Sequence, residues 1–190
     1  MSEVKTNKIS PATSTTVTLG DSGDTIALGS GVTQTGFSDE AQYFFCSMTG
    51  SNQNVDDSTN TKVNINTVAL DNKSGFDTTN NKYVITSTTA GIWKIGGQVC
   101  GFHGTSDYLR AVFALLYKNG SSLGDPYDSI HDIGGAYGLE FTTQSVNAIV
   151  SLVAGDYIEL YGKVIRSSGS AQNQILQRAT NFYGHRIAAT

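Results

Sequence analysis

Residues 149–160 read IVSLVAGDYIEL, in which two runs rich in β-branched and other apolar residues meet at Ala154-Gly155-Asp156. Gly and Asp are favoured in tight turns because Gly adopts positive φ and Asp hydrogen-bonds its own backbone. Runs of this composition on either side of a turn are typical of β-strands. The sequence therefore predicts strands over residues 145–153 and 157–165 with a tight turn between them.

A second stretch, IWKIGGQVC at residues 92–100, has an apolar period of two. Trp93, Ile95 and Val99 fall on one face of an extended chain, which predicts a strand with one buried side. A turn signal at residues 89–91 precedes this strand. Comparable strand-like runs occur at residues 42–48, 62–68, 82–86 and 175–188.

Residues 108–118 are the one stretch with helical propensity, because Ala-Leu-Leu lies inside it. The stretch ends abruptly at the turn Lys118-Asn119-Gly120, which is typical of a β-hairpin. We therefore predict a strand here as well. Many short strands separated by turns at regular spacing predict an all-β sandwich or jelly roll.

The composition excludes several classes of protein. Charged residues make up 15% of the 190-residue chain, against about 25% in an average globular protein. Ser, Thr, Asn and Gly take their place, which disfavours exposed helices. No cluster of Lys or Arg is present that would bind nucleic acid. No apolar run of about 18 residues occurs and the start lacks an apolar segment, so we expect a soluble chain without membrane insertion or an export signal.

The first 36 residues differ from the rest because every aromatic residue of the chain lies at or after Phe37. Isolated apolar residues cannot offset the cost of ordering such a segment, about 1–2 kcal/mol per residue, without a partner. We therefore predict an extended attachment arm at residues 1–36 and a folded body at residues 37–190. The apolar residues predicted to attach the arm are Val17, Leu19, Ile26 and Leu28.

Several segments of the body resemble the C1q/TNF-like jelly-roll domain in their order and spacing. They are Gly75-Phe76-Asp77, Tyr83, Ala90-Gly91-Ile92-Trp93, residues 115–120 (LLYKNG), residues 149–160 and residues 181–187 (NFYGHRI). The resemblance covers about residues 40–190 and implies a jelly-roll β-sandwich. It also implies a homotrimer that recognises partners through its outer loops and surfaces. No collagen-like repeat precedes the body.

The body also has more aromatic residues than the inner face of one jelly roll of this size needs. Tyrosine is enriched where proteins contact one another. We therefore predict that some of these residues form the trimer contact, and the candidates are Tyr157, Tyr161, Phe182 and Tyr183.

Residues 17–37 of the arm, which begin VTLGDSGDTI, are similar to segments of fibre and capsid-surface proteins of tailed bacteriophages. That resemblance implies a trimeric virion structural protein, as a tail fibre, a head fibre or a capsid decoration, assembled in the host cytoplasm. The arm would dock to other virion proteins, while the jelly roll would face outward to stabilise the particle or bind a host-surface glycan or protein. The alternative is a free-standing bacterial C1q-like module that recognises a glycan or protein.

Three short motifs resemble those of serine hydrolases. Gly20-Asp21-Ser22 together with Asp128-Ser129-Ile130-His131 is similar to a lipase-like set, but that chemistry needs a β/α scaffold. Gly20-Asp21-Ser22-Gly23 is also similar to a trypsin-like block, although all three histidines follow it, where that family places its base upstream. Residues 120–124 (GSSLG) continue a hairpin turn. We therefore predict no catalytic residue and no enzyme, with an esterase that uses Ser22 as the remaining enzymatic hypothesis.

The sequence has no metal-binding or phosphate-binding motif, and we predict no cofactor. The acidic pair Asp56-Asp57 and three further carboxylates, Asp125, Asp128 and Asp132, lie in predicted loops. Such loops can hold Ca²⁺, but solvated acids are the favoured interpretation. Cys46 and Cys100 each lie in an apolar strand-like run, which predicts buried, reduced residues.

Overall fold

The computed structural model describes residues 41–104, 109–124, 129–132 and 140–189, with residues 129–132 described by their backbone alone. The chain divides into two compact units, Met1–Ser38 and Asp39–Thr190. The fold described here is that of the second unit. The predicted arm, including Val17, Leu19, Ile26, Leu28 and Ser22, lies outside the described residues.

The described residues form fourteen strands and no helix. The all-β prediction is therefore confirmed. In chain order the strands are β1 (Tyr43–Ser47), β2 (Gln53–Val55), β3 (Thr61–Lys62), β4 (Thr67–Asp71), β5 (Phe76–Asp77), β6 (Lys82–Val84), β7 (Gly91–His103), β8 (Leu109–Lys118), β9 (Ser121–Ser122), β10 (Ser129–Asp132), β11 (Phe141–Leu152), β12 (Tyr157–Arg166), β13 (Asn173–Ile175) and β14 (Asn181–Ala189).

The first sheet, sheet A, is built around β7, and all its strand pairs are antiparallel. Strand β11 pairs with one edge of β7 over nearly its full length. The other edge is shared by β14 and β13, since these two strands pair with successive parts of β7. Beyond β14 lie β1 and then β4, and beyond β13 lies β2.

The second sheet, sheet B, is built around β12. One edge of β12 pairs with β8, which in turn pairs with β10 and with β9. The other edge pairs with β3 and β6, and β6 pairs with β5. Strand β8 is the stretch with helical propensity. It is extended because both of its edges are hydrogen-bonded in the sheet, and this pairing outweighs intrinsic propensity.

The two sheets enclose one hydrophobic core, which includes Trp93. Trp93, Ile95 and Val99 are completely buried, as their period of two predicts. The indole nitrogen of Trp93 donates to the carbonyl of Thr89 at 2.9 Å, so its one polar group is satisfied. Phe44 stacks on Tyr83 with 4.2 Å between ring centroids. Rings of this size contribute much of the apolar area that the sandwich removes from water.

Both predicted turns have the backbone conformation that their residues favour. Asn119 and Gly120 have φ values of 54° and 77°, and they connect β8 to β9 as a hairpin. Positive φ at both central residues is the requirement of a type I′ turn, which Asn-Gly meets at low cost. Gly155 has a φ of 93° in the turn between β11 and β12.

Cys46 and Cys100 are both buried and are not disulfide-bonded, as predicted. Burial, followed by the nearby charge of Asp71, raises the pKa of the Cys46 thiol to about 12. A thiol in this state is a poor nucleophile, because the thiolate is the reactive form. Cys46 therefore packs as a small apolar residue.

Candidate functional site

The outer face of sheet A carries large apolar side chains that the chain leaves exposed. Strand alternation points Phe44 and Cys46 into the core, so Tyr43 and Phe45 point outward from β1. We define the assembly face as the outward residues of two neighbouring rows that cross the sheet. These residues are Tyr43, Phe45, Leu70, Lys94, Gly96, Asn147, Ile149, Tyr183 and His185.

The first row of the assembly face crosses five strands. Leu70, Phe45 and Tyr183 are successive cross-strand neighbours on β4, β1 and β14. The rings of Phe45 and Tyr183 are nearly parallel, with centroids 6.4 Å apart. Leu70 is 55% exposed at the edge of the sheet, so this apolar row ends in solvent.

Gly96 lets the Tyr183 ring lie across β7. A Cβ atom at Gly96 would stand 2.7 Å from the phenol of Tyr183 and 2.4 Å from Oδ1 of Asn147, which is too close for any side chain. In the space left by the glycine, the Tyr183 hydroxyl donates to Oδ1 of Asn147 at 2.9 Å. The glycine therefore makes room for the Tyr183 ring, and the bond orients its hydroxyl.

The second row runs alongside the first and is more mixed. Ile149, Lys94, His185 and Tyr43 are successive cross-strand neighbours on β11, β7, β14 and β1. Ile149 is 62% exposed, and a shallow groove of about 220 Å³ lies beside it. The two rows together combine exposed apolar residues with a single lysine. Exposed apolar surface of this kind is a candidate for a protein contact.

The outer face of sheet B has a different chemistry. Tyr157, Glu159 and Tyr161 alternate outward along β12, and Tyr117 of β8 is the cross-strand neighbour of Glu159. The rings of Tyr117 and Tyr161 stack at 3.8 Å. The ammonium group of Lys82 lies 4.4 Å from the centroid of the Tyr157 ring. We call these residues, with Asn60 and Lys62, the tyrosine cluster.

Charges inside the tyrosine cluster are closely paired. The ammonium group of Lys62 lies 2.5 Å from Oε1 of Glu159. Burial alone would lower the pKa of Lys62, but the hydrogen bond and the negative charge of Glu159 outweigh it and raise that pKa. Burial, and then the charge of Glu159, also raise the pKa of Tyr161. The Tyr161 hydroxyl is therefore protonated at neutral pH and can donate a hydrogen bond.

The four residues predicted for the trimer contact do not share one surface. Tyr183 lies on the assembly face, whereas Tyr157 and Tyr161 lie on the opposite side of the sandwich. Phe182 is completely buried and packs edge-on against Phe44, 5.1 Å between centroids. The assignment of Phe182 to an interface is therefore corrected: it is a core residue, because alternation along β14 points it inward. Phe45, Leu70 and Ile149 were not identified from the sequence, because their exposure depends on which strands become neighbours.

The described candidates for catalysis are held in structural roles. The Ser122 hydroxyl accepts the backbone N–H of Gly124 at 3.0 Å, as a turn residue does. His103 is buried, and its Nδ1 lies 2.7 Å from Oδ1 of Asn173. His185 is on the assembly face, on the other sheet from Ser122. Asp128 lies outside the described residues, and for His131 the structure gives only the backbone.

Metal-binding candidates are likewise few. Within the described ranges, no three His, Cys, Asp or Glu side chains are grouped as a metal site would need. Asp57 accepts the backbone N–H of Arg166 at 2.9 Å and the amide of Asn173 at 3.1 Å, which fixes a loop to β12 and β13. Asp125 and Asp128 lie outside the described residues, and Asp132 is described by its backbone alone.

In the part of the chain that the structure describes, no helix is long and apolar enough to span a membrane.

Comparison with known proteins bears on the fold. No protein-family model and no curated protein matches the sequence. Among solved structures, the Eiger TNF from S. frugiperda matches 79% of this chain and 93% of its own, with a TM-score of 0.55 and 12% identity.

Two further structures match to a similar degree. The globular domain of zebrafish complement 1qA protein covers 78% of this chain and 99% of its own, with a TM-score of 0.52 and 13% identity. Murine APRIL, crystallised at pH 8.0, covers 78% and 100%, with a TM-score of 0.53 and 14% identity. The predicted C1q/TNF-like jelly-roll fold is therefore confirmed. The resemblance of residues 17–37 to phage proteins stays a prediction.

Proposed function

We propose that this protein is a non-enzymatic structural module that assembles as a homotrimer through the assembly face. The observation that carries the proposal is the row from Leu70 through Phe45 to Tyr183, in which Leu70 and Phe45 stay exposed beside the half-buried Tyr183. Burial of apolar area is favourable by about 25 cal/mol per Å². A stable interface needs roughly 800 Å² from each partner, which one face of a sheet can supply.

The number of copies follows from the resemblance of the body to C1q/TNF-like domains, whose members are trimers. In a closed ring of identical contacts, the assembly face of every copy is covered by a neighbouring copy. The two rows of the assembly face contain no acidic residue and only one lysine, Lys94. Few charged groups would therefore lose their hydration on assembly.

The location that fits this module best is a phage particle, as a tail fibre, a head fibre or a capsid decoration. Support for the location comes from the resemblance of residues 17–37 to phage surface proteins. Residues 1–36 would then dock to other virion proteins, with Val17, Leu19, Ile26 and Leu28 as the apolar contacts. The body would face outward, and the whole would assemble in the host cytoplasm.

A free-standing bacterial recognition module is the second candidate. The tyrosine cluster favours it, because half-buried tyrosines beside polar groups are typical of binding surfaces. In that case the arm would be a linker and would have no particle to join.

Light scattering of the purified full chain tests the assembly. We expect a mass near three times the 20.1 kDa of one chain. Leu70→Lys should reduce the measured mass, because it places a charge in the first row, which assembly would bury. Val153→Lys is the matched control: Val153 is equally exposed but lies in the turn after β11, outside the two rows. A monomeric wild-type chain at micromolar concentration would contradict the proposal.

A further inference from the structure

Glu159 occupies an unusual position on the outer face of sheet B. Alternation along β12 points it outward, between Tyr157 and Tyr161 on the same strand. Its residue is nevertheless only 2% exposed. The side chain is covered from outside by Lys62 and by the neighbouring tyrosines rather than by the core.

The carboxylate of Glu159 is satisfied on one side only. Its Oε1 binds Lys62, whereas Oε2 is buried and has no hydrogen-bond partner among the described residues. Buried polar atoms are hydrogen-bonded in the great majority of cases, because an unmade bond costs about 1–3 kcal/mol. An acceptor left open in this way is available to a donor such as a ligand hydroxyl.

The groups around Glu159 define what that donor is. Tyr117 and Tyr161 present a stacked pair of rings, and the amide of Asn60 donates to the Tyr117 hydroxyl at 2.8 Å, which fixes the pair. Flat aromatic surface packs against the C–H face of a ring. The carboxylate accepts from hydroxyls and repels anions. An apolar ring face with hydroxyl donors at its rim is the description of a pyranose sugar.

The cover over the carboxylate is able to move. Lys62 is long and unbranched, and its side chain is about a third exposed. Its ammonium group also donates to the carbonyl of Asn80 at 3.3 Å, a weak bond at the surface. A displacement of Lys62 toward solvent would open the Glu159 carboxylate, while the bond from Asn60 to Tyr117 would still hold the stacked pair.

We propose that the tyrosine cluster is a binding site for a neutral saccharide. The Tyr117–Tyr161 pair contacts the sugar ring, and Glu159 Oε2 accepts one of its hydroxyls. The inference rests on the proposed function in one respect, since the outer face of sheet B stays free when sheet A is covered by assembly. It assigns Tyr157 and Tyr161 to recognition rather than to the trimer contact.

Affinity gel electrophoresis of the full chain tests the site, with mannan, dextran and galactan as neutral probes and alginate as an anionic one. We expect at least one neutral polysaccharide to retard the wild-type protein and alginate not to. Glu159→Gln, which keeps the size of the side chain but loses its charge, should weaken retardation at least tenfold, and so should Tyr161→Ala.

Two variants separate binding from folding. Phe113→Ala removes an aromatic ring from the same face of sheet B, where Lys163 covers it, and should bind within twofold of wild type. Tyr161→Phe keeps the stacked rings and should retain most of the binding. It replaces Tyr161→Ala in the comparison if that variant fails to fold.

Failure of the saccharide site is distinguishable from failure of the assembly, because light scattering on the same samples reports the mass. Three results obtained with a trimer would overturn the saccharide site and leave the assembly proposal intact. These results are no retardation by any neutral polysaccharide, binding of alginate alone, or equal binding by the Glu159→Gln variant. A monomer that still binds a neutral polysaccharide overturns only the assembly.

Discussion

The side-chain amide of Asn119 donates to Oδ1 of Asp156 at 2.7 Å and joins two turns that lie 37 residues apart in the sequence. The ammonium group of Lys118 lies 2.8 Å from the other carboxylate oxygen, which also accepts the backbone N–H of Val153 at 2.9 Å. One turn follows β8 of sheet B, and the other leads from β11 of sheet A to β12 of sheet B. Asp156 therefore ties the two sheets together at this end of the sandwich.

Replacing this carboxylate should destabilise the body at neutral pH. Burial alone would raise the pKa of Asp156, but the hydrogen bonds from Lys118, Asn119 and Val153 outweigh it and lower that pKa below 3.8. A group whose pKa is lower in the folded state stabilises the fold above the unfolded value and loses this effect as the pH falls. Asp156→Asn should therefore cost about 1–3 kcal/mol at pH 7, and less below about pH 4.

Urea unfolding at pH 7 and pH 3 measures both effects. Asp56→Asn is the control, because Asp56 is an exposed carboxylate in the loop after β2. Equal stability of the Asp156→Asn variant and the wild type at pH 7 would show that the carboxylate does not hold the turns.

A methyl group at position 96 should disturb the assembly face. Gly96→Ala places a Cβ atom 2.7 Å from the Tyr183 phenol, so that the ring must shift from its place in the row. We expect trimer dissociation at concentrations at least tenfold higher than for the wild type, measured by sedimentation. Tyr183→Phe is the control, because it removes only the hydroxyl that binds Asn147 and should change assembly little. Unchanged dissociation of Gly96→Ala would place the interface elsewhere.

The protein should be catalytically inert. Ser122 uses its hydroxyl within a turn, and Ser22 belongs to the GDS motif of the arm. Hydrolysis of p-nitrophenyl acetate should equal the rate of buffer with the wild type and with the Ser22→Ala and Ser122→Ala variants. Hydrolysis by the wild type that either substitution abolishes would establish an esterase and reject this prediction.

Deletion of residues 1–36 should separate attachment from folding. The described strands begin at Tyr43, and Phe44 is the first described residue of the hydrophobic core. The truncated body should stay soluble, melt cooperatively and keep the oligomeric mass of the full chain. Incorporation into the parent particle should fail, because the apolar residues of the arm are gone.

Both properties are to be measured on the same truncated protein. Particles decorated at the wild-type level would reject the arm as the anchor and would favour the free-standing recognition module. Loss of folding on truncation would instead show that the arm belongs to the body.

The sequence by itself determined the local features of this protein. Alternation from Trp93 to Val99 sets the buried face of β7, because successive side chains of a strand point to opposite sides. The turn conformations at Asn119-Gly120 and at Gly155 follow from residues that tolerate positive φ. The number and order of such elements predicted an all-β sandwich or jelly roll, and the resemblance to C1q/TNF-like domains selected the jelly roll.

Only the tertiary structure decided which residues share a surface. Phe182 and Tyr183 are adjacent in the sequence, yet one lies in the core and the other on the assembly face, and the register with β1 decides which. Tyr161 resembles Tyr183 in type but lies on the other sheet. The burial of Glu159 depends on Lys62, which is distant in the sequence but lies on the neighbouring strand β3. Strand neighbours are set by hydrogen bonds between residues far apart in the sequence, and the alternation within one strand does not predict which strands pair.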